Sequence, residues 1–98
     1  MYRKTTYRSE QVGEVFDVLL WNEQGELTEF TNGNLVLKLE GKLWTPARES
    51  GHLNGTFCDE LLSNGVIQER ILTKKDLDNG SAMWLINSVR GWVKVYKN

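Results

Sequence analysis

The sequence is poor in the residues that staple small domains. Among its 98 residues there is one cysteine, Cys58, and one histidine, His52. A single cysteine excludes an internal disulfide, and together with one histidine it cannot supply a Cys/His structural zinc site. No metal site is expected. Pro46 is the one proline, and no Pro/Gly/Ser-rich stretch or internal repeat suggests a linker between domains. Long hydrophobic runs are also missing. The two longest, residues 18–21 and 82–86, are far short of the ~20 residues that a membrane helix needs. Met1 is followed by Tyr2-Arg3-Lys4-Thr5-Thr6, without the apolar segment of a signal peptide. Nor is there an excess of one charge: 12 Lys and Arg face 13 Asp and Glu, a net charge of −1. Such a balance argues against electrostatic capture of nucleic acid or an anionic membrane. The expected setting is reduced and cytoplasmic.

What is present is globular. Hydrophobic residues make up 40% and charged residues 26%, so the chain has the means to form a core. Four Trp, three Tyr and three Phe add large buried areas to what a chain of this length can otherwise bury. One domain over residues 1–98 is expected.

The pattern along the chain is that of an α+β fold, mainly antiparallel sheet with one main helix. Residues 14–21 are rich in branched and aromatic side chains and read as a largely buried strand. Residues 26–30 continue as a short strand. Thr31-Asn32-Gly33 is the strongest short-range turn signal. Residues 34–39 and 43–45 read as two strands about a tight turn, ended by Pro46. A helix starts at Gly55-Thr56, places Phe57, Leu61 and Leu62 on one apolar face, and stops at Asn64-Gly65. Residues 66–72 read as a strand. Thr73 caps a short helix over 74–77, with Asp76 completing a capping box. Residues 82–86 and 91–96 read as the last two strands.

Three features carry possible chemistry. Residues 51–57 run into a helix start, where free backbone N–H groups bind anions such as phosphate. Read from spacing alone, this is an ordinary loop and helix start. Glu29 stands on a strand just before a turn, a place where carboxylates are usually solvated. Asn87-Ser88-Val89-Arg90-Gly91-Trp92 joins two apolar strands with polar residues that either form a site or simply turn the chain.

A series of motifs extends this reading. Thr28-Glu29-Phe30-Thr31-Asn32-Gly33-Asn34-Leu35, Thr45-Pro46, Gly51-His52-Leu53-Asn54-Gly55-Thr56-Phe57, Glu69-Arg70 and Asn87-Ser88-Val89-Arg90-Gly91-Trp92 occur in that order. The series resembles the C-terminal half of fold-type IV pyridoxal-phosphate enzymes, the class IV aminotransferase family. That family includes branched-chain and D-amino-acid aminotransferases and 4-amino-4-deoxychorismate lyase. The opening Lys4-Thr5-Thr6-Tyr7-Arg8 and the ending Asn87 to Trp92 look most like the lyase.

The resemblance implies a role for each feature. Lys4 matches the lysine that attaches covalently to pyridoxal phosphate and then moves protons. Read without the flanking match, Lys4 is a terminal lysine in a segment expected to fray. Glu29 matches the carboxylate that pairs with the pyridine nitrogen, so that the cofactor works as an electron sink. Thr56 and Phe57 match the positions whose backbone N–H groups hold the cofactor phosphate. Ser88 adds a hydroxyl. Asn34 either sits near the cofactor or shapes the turn. Arg90 either binds a substrate carboxylate or forms a structural ion pair. Departures from the family pattern are Arg3 where lyases often have His, Asn54 in place of Pro, and Cys58 in place of Arg. Cys58 reads as a packing residue, and His52 as a solvated loop residue.

By this resemblance the implied activity converts 4-amino-4-deoxychorismate into 4-aminobenzoate and pyruvate, a step of the folate pathway. The alternatives are an aminotransferase on the same scaffold, or a non-catalytic fragment or pairing domain with weak or no cofactor binding. The implied partners are a small-molecule substrate and either a second copy in a homodimer or the N-terminal half of the family fold. That half is absent from these 98 residues, which are expected to be either an excised fragment or a short relative.

Overall fold

In the computed structural model, the backbone is described for residues 3–9, 16–48 and 55–97, and side chains for residues 19–48 and 55–95. Eight strands and two helices follow one another as β1 (Arg3–Ser9), β2 (Phe16–Trp21), β3 (Leu27–Phe30), β4 (Asn34–Leu39), β5 (Lys42–Pro46), α1 (Thr56–Ser63), β6 (Gln68–Arg70), α2 (Lys74–Asn79), β7 (Ala82–Asn87) and β8 (Gly91–Lys97). The strands form one sheet in the order β3-β2-β1-β8-β7-β4-β5-β6. Pairing is antiparallel except for β5 and β6, which run parallel. Parallel neighbours need a crossover, and residues 47–67, which include α1, supply it.

The sheet curls back on itself. β3 and β4 are first and sixth in its order, yet only residues 31–33 join them. The last residue of β3, Phe30, bridges to Gly33 just before β4, and β3 packs against β4 and β5. The enclosed face is filled by Leu19, Trp21, Leu27, Phe30, Leu35, Leu37, Leu39, Met83, Leu85, Val93 and Val95. Strand alternation sends the intervening residues to the outer face. There Val36 and Ile86 pack beneath Cys58 and Leu61 of α1, with Trp84 and Trp92 beside them. The two indoles meet edge to face with centroids 5.7 Å apart. β4 is therefore covered on both faces, and of its six residues only Lys38 is exposed.

Most element readings agree with the structure, down to the helix ends. After α1, the Gly65 N–H donates to Leu62 and the Val66 N–H to Leu61. Gly65 has φ +74°. These two bonds and the left-handed glycine make a Schellman stop. At α2, the Asp76 N–H donates to Thr73 Oγ1 while Asp76 Oδ2 accepts from the Thr73 N–H at 2.9 Å, the reciprocal pair of a capping box.

Two readings differ. Residues 3–9, expected to fray, form β1, which pairs with both β2 and β8. The strand expected over 66–72 is only Gln68–Arg70, because Val66 is still engaged with the end of α1. Thr31-Asn32-Gly33 turns the chain as expected, and β3 and β4 then take different partners. Gly33 is required for space: a β-carbon there would lie 2.6 Å from the Ile86 carbonyl oxygen and 2.8 Å from Leu85 Cδ2. The backbone contact cannot yield by a rotamer change, so Gly33→Ala is expected to cost about 1–3 kcal/mol, read as a lower urea midpoint.

Candidate functional site

The join between β3 and β4 sets the place of the candidate site. It brings the end of β3, the start of β4, the first turn of α1 and the end of β7 to one corner of the fold. A cleft of about 250 Å³ opens there, lined by Glu29, Asn34, Phe57, Cys58, Asn87 and Ser88 together with Asn32, Gly33 and Gly55.

Asn34 holds two of these elements together. It is only 5% exposed, and its Oδ1 accepts from the Gly55 N–H at 3.0 Å. That bond fixes the residue that precedes α1, which has no side-chain cap of its own. The first helical bond runs from the Asp59 N–H to the Gly55 carbonyl. The N–H groups of Thr56 and Phe57 come before it and have no partner within the helix. They carry the positive end of the helix dipole.

Beneath the first turn, Cys58 is 1% exposed, and its Sγ lies 4.0 Å from Thr45 Oγ1. Thr45 is also buried, and its hydroxyl donates to the Leu35 carbonyl at 2.7 Å. Burial pushes the Cys58 thiol above its ordinary pKa, and this outweighs the opposing contact with Thr45. A protonated, enclosed thiol is a packing group, not a nucleophile.

Opposite the helix, Asn87 ends β7. Its Nδ2 donates to the Asn32 carbonyl at 2.9 Å, while its Oδ1 accepts from the N–H groups of Val89 and Arg90 at 3.1 and 2.7 Å.

The structure thus gathers Glu29, Asn34, Phe57 and Ser88 around one cleft, with Thr56 next to Phe57 at the helix start. Arg90 does not line it; the residue is exposed on the 88–90 turn. Lys4 is placed by its backbone on β1, opposite Leu20, whose carbonyl accepts from Thr28 Oγ1 at 3.0 Å. Its side chain lies outside the described residues, as does His52. Asn32, Gly33 and Asn87 line the cleft although, named within the sequence motifs, they were given no role in the site. An Asn two and three residues ahead of turn N–H groups is the local signal that marks Asn87. Among the described residues, no three His, Cys, Asp or Glu side chains cluster as metal ligands would. No helix among them is long and apolar enough to cross a membrane.

The sequence profile of the family described as "Amino-transferase class IV" matches residues 6–97. A protein of Schizosaccharomyces pombe named "Putative aminodeoxychorismate lyase" is 41% identical over 83 residues, which cover 82% of this chain and 36% of that protein. A crystal structure from Legionella pneumophila, named as "Putative 4-amino-4-deoxychorismate lyase", superposes with a TM-score of 0.74. It is 35% identical and covers 80% of this chain and 31% of the other. A Thermotoga maritima structure named as a "putative branched-chain amino acid aminotransferase" gives a TM-score of 0.70 at 30% identity, covering 87% and 32%. The chain spans about a third of the length of each of these relatives.

The thiol gives a direct test of this packing. Cys58 is expected to resist a thiol reagent at neutral pH in the folded chain and to react fully once urea unfolds it. Its raised pKa means that folding disfavours the thiolate. The associated stability is fully present below the ordinary thiol range and is lost as pH rises from there through the raised value of the folded chain. The urea midpoint of the wild type should therefore fall more steeply with alkaline pH than that of Cys58→Ala.

Proposed function

The chain belongs to the class IV aminotransferase family, and from that premise we propose that it is the family's C-terminal, pyridoxal-phosphate-binding domain, of the aminodeoxychorismate lyase type. One observation carries the proposal: a carboxylate, an uncapped helix N-terminus and a hydroxyl meet at a single cleft.

The residues fit such a cofactor. Pyridoxal phosphate has an anionic phosphate at one end and a basic ring nitrogen at the other. The N–H groups of Thr56 and Phe57 are oriented donors with no intrahelical partner, as a phosphate site requires, and the Ser88 hydroxyl is a further donor at the same cleft. The half-buried Glu29 supplies the negative charge that holds a proton on a ring nitrogen. When bound, the cofactor supplies an electron-accepting ring that stabilises negative charge at the substrate carbon bearing the amine.

The chain's own groups then have distinct tasks. Glu29 keeps a proton at the ring nitrogen. The first turn of α1 and Ser88 anchor the phosphate and so fix the position of the ring. Lys4 would hold the cofactor covalently, and its amine would carry a proton to and from the reacting carbon. Asn34 positions the helix start through Gly55. Arg90, exposed on the 88–90 turn two residues from Ser88, is the group we assign to a substrate carboxylate. The substrate we propose is 4-amino-4-deoxychorismate, with pyruvate and 4-aminobenzoate as products. The 41% identity to the protein named as an aminodeoxychorismate lyase supports that choice. A second reading, a branched-chain aminotransferase, is favoured by the fold and identity shared with the Thermotoga maritima protein.

The test uses the full chain. Borohydride reduction in the presence of pyridoxal phosphate is expected to label Lys4 at one mole per mole, as mapped by mass spectrometry. The label should disappear in Lys4→Ala and weaken in Glu29→Ala. No label, or a label spread over surface lysines, contradicts the proposal. If the label forms, release of pyruvate from 4-amino-4-deoxychorismate supports the lyase reading, and amino transfer to a 2-oxo acid supports the alternative.

A further inference from the structure

We propose that Asn87 is a positioning residue for the candidate site: its side chain locks the 88–90 turn and ties it to the turn that joins β3 and β4, and this sets where Ser88 stands at the cleft. The inference rests on the cofactor reading for its ligand and on the hydrogen bonds for its geometry. Asn87 is the last residue of β7. Its carboxamide faces two directions at once. Oδ1 closes an Asx turn by accepting from the N–H groups of Val89, at 3.1 Å, and Arg90, at 2.7 Å. Nδ2 crosses to the Asn32 carbonyl at 2.9 Å, between residues 55 positions apart.

The β7–β8 ladder pairs Asn87 with Gly91 at the base of the turn, but beyond that pair the turn has little support. Val89 is 91% exposed, and Ser88 and Arg90 are exposed as well, so burial does not hold the turn in place. Gly91, the next residue, has φ +70° and offers no side chain to anchor it. Across the cleft, Gly33 sits against the Ile86 carbonyl with no room for a β-carbon. The backbone of the β3–β4 turn is therefore a fixed reference, and Asn87 transfers that fixed position to Ser88. A side chain lacking either the acceptor or the donor would leave one of these links open.

Two variants separate the roles. Asn87→Ala removes both the acceptor and the donor. Asn87→Asp keeps the acceptor for the two turn N–H groups. Amide hydrogen exchange of the cofactor-free chain is the first readout. In Asn87→Ala the Val89 and Arg90 amides should exchange about tenfold faster, the size of effect that one lost hydrogen bond gives. In Asn87→Asp they should remain protected, and amides of β4 should be unchanged in both. The second readout is pyridoxal phosphate affinity, titrated by tryptophan fluorescence for the wild type and Asn87→Ala, with about a tenfold loss expected. Unchanged amide exchange in Asn87→Ala overturns the locking role, whatever the affinity. Faster exchange with unchanged affinity overturns the link between the turn and the cleft. Equal exchange in the Ala and Asp variants shows that the carbonyl acceptor is not what holds the turn, and also overturns the inference. A wild type that binds no pyridoxal phosphate counts against the functional reading and against the ligand arm, while the exchange arm decides the locking role on its own.

Discussion

One close approach governs the geometry. The backbone at Gly33 passes the Ile86 carbonyl so tightly that no side chain fits between them. This is possible because the chain crosses from the first strand of the sheet to the sixth in three residues. A sheet that stayed open would hold those strands several spacings of about 4.8 Å apart. The sheet has to curl, and its enclosed face becomes the larger of the two cores. The same approach puts the end of β3 beside the end of β7, and so Glu29 beside Asn87 and Ser88. The cleft is a by-product of closing the sheet.

The second constraint is α1. Its eight residues are too few to form a stable helix alone, so it depends on docking over Val36 and Ile86 through Cys58 and Leu61. Docking fixes the helix axis, and the bond from Gly55 to Asn34 fixes its start. Asn34 and Val36 lie on the same outer face of β4, one at the helix start and the other under its body. One strand thus supplies both the packing and the polar anchor. A buried asparagine is tolerable here because its carboxamide is paired.

Much of this was legible in the sequence, and the exceptions are instructive. Helix ends were readable because Thr73, Asp76, Asn64 and Gly65 act locally, within one turn of the backbone. β4 and β7 were readable because consecutive apolar residues mark strands covered on both faces. β1 was not, because Arg3-Lys4-Thr5-Thr6-Tyr7-Arg8-Ser9 carries little apolar signal. It is a strand through its neighbours, one of which, β8, lies nearly 90 residues along the chain. Asn32-Gly33 was legible as a turn but not for the right reason. The pair suggests a left-handed hairpin turn, yet Gly33 is not among the positive-φ glycines, and what it provides is space. Asn87 was legible as a turn residue through its bonds to Val89 and Arg90, but its bond to Asn32 joins parts of the chain that only the closed sheet brings together.

The electrostatics of the cleft favour one kind of occupant. The first turn of α1 presents partial positive charge and unshared donors, while Glu29 presents a carboxylate on the neighbouring strand. A purely anionic ligand would gain from the helix and meet repulsion at Glu29. A purely cationic ligand would face the reverse. A ligand with an anionic end and a protonatable nitrogen satisfies both, and that is the polarity of the pyridoxal phosphate proposed for it. Cys58 sharpens the contrast, because its buried, protonated thiol adds no charge of its own. The register completes the arrangement. Lys4 stands on β1 opposite Leu20, and Thr28 bonds that residue's carbonyl from the strand that carries Glu29. Lys4, Leu20 and Thr28 thus stand in one row across β1, β2 and β3, and Glu29 follows Thr28 along the chain.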